Sequence, residues 1–141
     1  MIHSKKYVWL WPVLLGVTIF SLSGATHIAT PDLGFQFSKD KVGHFLVFGL
    51  LATSILRVPG IDRMGWRGAI LAALITIGFG GFDELRQSFT PGRSVEFADW
   101  LADTAGAVTA VIAYRVITPY HRVLEWCVSK KARFLFRRTG P

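Results

Sequence analysis

Four apolar stretches, with most charges held in the segments between them, leave this chain few ways to fold. They run from Tyr7 to Ser23, Val42 to Leu56, Gly68 to Phe82, and Phe97 to Ile117, the last interrupted by Asp99 and Asp103. A membrane-spanning helix needs about 20 residues at roughly 1.5 Å of rise each. Only the fourth stretch reaches that length unaided. The second reaches it when Ser38, Lys39 and Asp40 start the helix, with Ser38 or Asp40 as the cap. The third reaches it when Asp83, Glu84 and Gln87 extend it. The expectation is an all-α, polytopic membrane protein, a bundle of about four transmembrane helices forming one domain over residues 1–141.

The first stretch has a second reading. Lys5 and Lys6, an apolar run and then Ser23-Gly24-Ala25 make a passable signal peptide. Tyr7, Trp9 and Trp11 at its start fit an interfacial aromatic belt better. A retained helix is therefore expected over a cleaved signal, and both give the same orientation.

The chain carries 16 basic and 9 acidic residues, a net charge of +7. Such a balance can mean nucleic acid. No zinc-ligand spacing, RNA-binding aromatic motif or phosphate-cradling glycine loop accompanies it, so no nucleic-acid partner is expected. The distribution gives the better explanation. With the N-terminus inside, twelve bases and two acids fall on inner segments, against four bases and seven acids outside. By the positive-inside rule both termini are cytoplasmic. Residues 120–141 then form a basic cytoplasmic tail whose expected partner is anionic lipid. A topology signal alone would look the same. Arg115, the deepest inner charge, is expected to snorkel. The single cysteine, Cys127, forms no intramolecular disulfide and reads as a small residue near a helix end.

This orientation collects ionisable residues at one face. Lys41 and His44 lie three apart at the outer end of helix 2. Gly80, Asp83, Glu84 and Gln87 lie at the outer end of helix 3. Pro91-Gly92-Arg93 makes the turn that follows, and Asp99, Asp103 and Gly106 open helix 4. Polar stripes of this kind face each other or a water-filled space, because facing lipid is expensive. Asp99 alone could be a helix-capping acid. Asp83 and Glu84 have the wrong sign for a helix C-terminus, so they need a partner: Arg86, Arg93, Lys41 or protonated His44. Close carboxylates beside a histidine suit general acid or base work, and Arg93 suits bidentate binding of a phosphate or carboxylate. No ligand spacing specifies a metal. Ala102, Gly106 and Ala110 form a small-residue stripe for close helix packing. A structural polar plug accounts for the same residues.

The run Asp83-Glu84-Leu85-Arg86-Gln87-Ser88-Phe89-Thr90-Pro91-Gly92-Arg93, followed by Asp99 and Gly106, resembles the VanZ-like membrane family, whose founding member is tied to low-level teicoplanin resistance. Lys41-x-x-His44-Phe45 matches that family's first motif. The resemblance covers about residues 38–112. It implies a multi-pass protein of the bacterial cytoplasmic membrane with an envelope-facing role. It also implies a site on the extracytoplasmic side. By position it carries over His44, Asp83, Glu84 and Asp99 as candidate catalytic residues, and Lys41, Gln87 and Arg93 as candidate ligand-binding ones. Asp103 departs from the Asn usual there. The function expected is binding or modification of a cell-envelope amphiphile, such as a phosphate-bearing lipid or a lipid-linked cell-wall precursor. A structural or assembly role is the alternative. No cofactor or oligomeric state is specified.

Overall fold

The computed structural model describes residues 7–23, 36–89 and 96–124, with side chains from residue 41 onward in the second segment. All regular structure in these residues is helical. Helix α1 spans Leu10–Ser23, α2 Gln36–Leu56, α3 Pro59–Asp62, α4 Trp66–Gln87 and α5 Phe97–Val116. A further helix, α6, spans Thr118–Leu124 and turns 98° from α5.

The all-α expectation holds, and α2, α4 and α5 lie where the apolar stretches and their polar extensions place them. Helix α2 starts at Gln36, ahead of both expected caps. Two short helices were not expected, and both sit at prolines. Pro59 opens α3 at a first-turn position, where its missing N–H has no consequence. Ile117 is extended and ends α5, and Pro119, two residues on, sits in the first turn of α6. The turn from α3 into α4 passes through Gly65 at φ 62°, a backbone region that glycine enters without strain.

By length and composition, Trp66–Gln87 is the one helix among the described residues able to cross a membrane by itself, with α5 and α6 together forming a bent second candidate. Helix α1 and the apolar part of α2, Lys41–Leu56, are shorter. All four long helices nevertheless pack together, α2 against α5 most extensively. Helices α1 and α4 end, and α2 and α5 begin, at the same end of the bundle.

The interior mixes small and large side chains: Ala52, Ala69, Ala72 and Ala107 are buried beside Phe48, Leu51, Leu56 and Tyr114. Buried Thr53 and Thr76 bond carbonyls of their own helices, Gly49 O and Ala72 O, each at 2.9 Å. The exterior is apolar as well, with Leu14 and Val17 on α1, Leu46 and Leu50 on α2, Ile70 and Leu74 on α4, and Ile112 on α5 all exposed. A soluble monomer rarely exposes so continuous an apolar surface.

Small residues also set how closely the helices approach. A Cβ at Gly106 would run into the Phe45 carbonyl, so α2 and α5 touch backbone to backbone there. One turn further along, Gly49 gives α2 the matching clearance, since its Cβ would lie 3.3 Å from that of Ala110. This crossing fixes the spacing of the side chains one turn nearer the polar end.

Candidate functional site

Because α2 and α5 run in the same direction from the same end, their first polar residues meet pairwise. Lys41 Nζ donates to Glu96 Oε2 at 2.7 Å and also to the Asp99 carboxylate. One turn deeper, His44 Nδ1 lies 2.9 Å from Asp103 Oδ1. The other ring nitrogen, Nε2, lies 3.9 Å from Asp99 Oδ2. With Asp103 ionised, that bond requires the proton on Nδ1, which turns Nε2 towards Asp99 as the acceptor of the neutral ring. The imidazole also stacks on Phe48, at 6.1 Å between centroids and 12° between planes.

Asp103 is 1% exposed, the most enclosed charge of the group. Its room comes from Gly80 on α4, where a Cβ would sit 3.0 Å from Asp103 Oδ2 and 3.1 Å from the Phe48 ring. Trp100 clamps α5 to α4 beside it, donating from Nε1 to the Ile77 carbonyl at 3.2 Å.

Asp83 and Glu84 are adjacent in sequence, yet they serve different neighbours, because consecutive helical side chains diverge by about 100°. Glu84 faces α5. Its Oε2 accepts the backbone N–H of Glu96, the cap residue of α5, at 3.2 Å. It lies within electrostatic range of Asp99, His44 and Asp103. Asp83 turns towards α1 and accepts from Ser23 Oγ at 2.8 Å, Arg86 Nη2 at 2.9 Å and Gln87 Nε2 at 3.1 Å. Arg86 completes the link by donating to Ser23 Oγ at 2.7 Å and the Phe20 carbonyl at 3.2 Å, with its guanidinium over the Phe20 ring.

Thus Lys41, His44, Glu84, Asp99 and Asp103 gather in one centre. Asp83 and Gln87 belong to a neighbouring network that holds α1. The single stripe expected on α4 is in fact two. Arg93, like Pro91 and Gly92, lies outside the described residues, as does Cys127. Glu96 and Ser23 were missed as participants. Glu96 had a faint signal, an acid three residues before Asp99, whereas Ser23 had none. Arg86 had a clear one, an opposite charge three residues from Asp83. Among the described residues, no group of three or more His, Cys, Asp or Glu is placed to hold a metal ion.

The order of the two motifs along the chain, and their meeting across α2, α4 and α5, agree with one comparison. The model of the family described as VanZ/LLP1 matches residues 11–118. The chain belongs to the VanZ/LLP1 family. The matched region runs from the second residue of α1 into the first residue of α6, so every residue of the His44 centre lies inside it. The VanZ/LLP1 family is membrane-associated, in keeping with the apolar length of Trp66–Gln87. No curated protein and no solved structure matches the chain.

Proposed function

We propose that this VanZ/LLP1 protein crosses the bacterial cytoplasmic membrane four times, with both termini cytoplasmic. At its extracytoplasmic end it binds or modifies the head group of a cell-envelope amphiphile. The ligand class is a phosphate-bearing lipid or a lipid-linked cell-wall precursor, and through it glycopeptide susceptibility. The membrane part rests on the exposed Leu, Ile and Val side chains around a core rich in alanine and threonine. With the polar first turn of α2 at the interface, its apolar part Lys41–Leu56 spans about 24 Å, which a locally thinned bilayer accommodates.

One observation carries the site: His44 stands between Asp103 and Asp99 with its side chain still 23% exposed. A histidine oriented by a buried carboxylate and still partly exposed can exchange a proton with a bound head group. Asp103 positions the ring, while Asp99 and Glu84 stabilise its protonated form. Lys41 and Arg93 are the head-group residues. The test compares His44→Ala and Arg93→Ala with wild type, for lipid binding in nanodiscs and for glycopeptide susceptibility of cells carrying each variant. Both variants are expected to lose binding at least tenfold. Unchanged binding together with unchanged susceptibility would sink the proposal.

A second reading has its own observation. Lys41 already holds two carboxylates, and Arg86 already holds Asp83. A bundle sealed by satisfied ion pairs is a structural or assembly element. That reading expects Asp83→Asn with Asp99→Asn to lower the unfolding temperature in detergent equally with and without candidate lipids.

A further inference from the structure

The opposite end of the bundle carries a surface that the His44 centre does not use. There α2 ends, α3 and its turn lead into α4, and α5 bends into α6. Arg115, near the end of α5, is committed inward. Its Nη1 donates to Asp62 Oδ1 at 3.1 Å and its Nη2 to the Gly65 carbonyl at 2.9 Å. Arg57 is committed too, donating from Nη2 to the Leu124 carbonyl at the end of α6, at 3.0 Å. These two arginines fasten the α3 turn and α6 to the ends of the long helices.

Three further arginines at this end do nothing of the kind. Arg63 on the turn, Arg67 in the first turn of α4 and Arg122 on α6 are exposed, and none has a hydrogen-bond or ion-pair partner among the described residues. The only acid described at this end is Asp62, already taken by Arg115. Around these cations stand exposed apolar side chains: Met64, Trp66, Ile117 and Val123. Helix α6 lies 98° from α5, so if α5 crosses the bilayer, α6 lies in the plane of its surface. Unpaired guanidinium groups beside tryptophan and aliphatic side chains, on the turn, the start of α4 and the in-plane α6, match the layer where phosphate groups meet acyl chains.

We propose that Arg63, Arg67 and Arg122 form a docking collar for anionic phospholipid in the leaflet at the α3 end. The collar rests on the membrane embedding proposed above and is independent of the His44 centre. Guanidinium forks bind the phosphate oxygens, while Trp66 and Val123 pack on the glycerol and upper acyl chain. The collar joins Arg122, at the start of the basic tail, to Arg63 and Arg67 on the α3 turn and α4, and it holds the bend at Ile117 against the bilayer.

The test uses the full chain, purified in a non-ionic detergent and titrated with phosphatidylglycerol, phosphatidylcholine or inorganic phosphate while its unfolding temperature is followed. Phosphatidylglycerol is expected to raise that temperature, and the other two to leave it unchanged. Arg63→Gln, Arg67→Gln and Arg122→Gln together remove at least half of the rise, and the triple lysine variant restores only part of it, because an ammonium lacks the planar fork. The triple glutamine variant leaves the His44 centre intact and tests the α3 end alone, so this proposal and the His44 proposal fail separately. Should the glutamine variant not fold, the wild-type salt response decides. Raising ionic strength from about 0.05 to about 0.5 M shortens the screening length to a few ångströms and is expected to halve the rise. A full rise in the triple glutamine variant overturns the collar. So does an equal rise with phosphatidylcholine or phosphate, or a rise indifferent to salt.

Discussion

The two ends of the bundle treat charge in opposite ways. At the end where α2 and α5 begin, four acids lie inside: Asp83, Asp99 and Asp103 are matched by side chains on another helix or one turn away, and Glu84 by the backbone N–H of Glu96. At the α3 end, two arginines are committed to an acid and to backbone carbonyls, and three others are left on the outside. Buried charges stay only where they are paired, so the first end can be tuned only by exchanging whole pairs. Exposed cations around an apolar rim carry no such constraint and respond to whatever surface they meet. The same fold thus offers a preorganised centre at one end and an adaptable electrostatic skirt at the other.

The largest effect should come from breaking a pair at the first end. His44→Ala leaves Asp103 enclosed without its partner and is expected to cost about 3–5 kcal/mol, the range for an uncompensated buried charge. Denaturant unfolding in detergent measures it, and a loss under about 1 kcal/mol would remove the distinction between the ends. At the α3 end, Arg115→Ala abandons the Gly65 carbonyl and is expected to cost about 1–3 kcal/mol. Arg115→Lys should recover only part, because an ammonium lacks the planar fork. The frame between the ends is probed by Gly106→Ala, at about 1–3 kcal/mol for overpacking against backbone. Its control is Gly43→Ala, where a Cβ meets nothing within 4 Å. That change should be neutral or stabilising by up to about 1 kcal/mol through helix propensity. The smallest effect should fall on α1. Asp83→Asn loosens the Ser23–Arg86 link and should raise protease cutting near the end of α1 several-fold, whereas Glu84→Gln should leave it unchanged. Equal cutting in both variants would rejoin the two halves of the acid pair.

Much of this was legible in the chain. The ends of α2, α4 and α5 that carry polar residues could be placed from apolar length and charge, because helices in this setting must bury or pair what they carry. The spacing of Lys41 with His44, and of Asp99 with Asp103, put each pair on one face of its helix, but left open which residue would meet which. What could not be read was direction around the axis. Asp83 and Glu84 looked like one unit, since a sequence gives no rotation until the neighbouring helices are known. Nor was Ser23 readable, because a serine ending an apolar run has many uses. The short helices α3 and α6 were missed because a few residues carry too little periodicity to stand out. Pro59 and Pro119 were the marks to follow. Arg115 was expected to reach for water. It reaches instead for Asp62 and the Gly65 carbonyl, which the α3 turn brings within range.

The meeting of Gly106 with the Phe45 carbonyl has a practical consequence for anyone dissecting the centre. The rails of the ladder are fixed by main chain, one turn below its rungs, so the rungs can be exchanged without moving the rails. Lys41 and Asp99 should therefore tolerate being swapped for one another. A protein carrying that reversal would report the chemistry of the centre, with its architecture held constant.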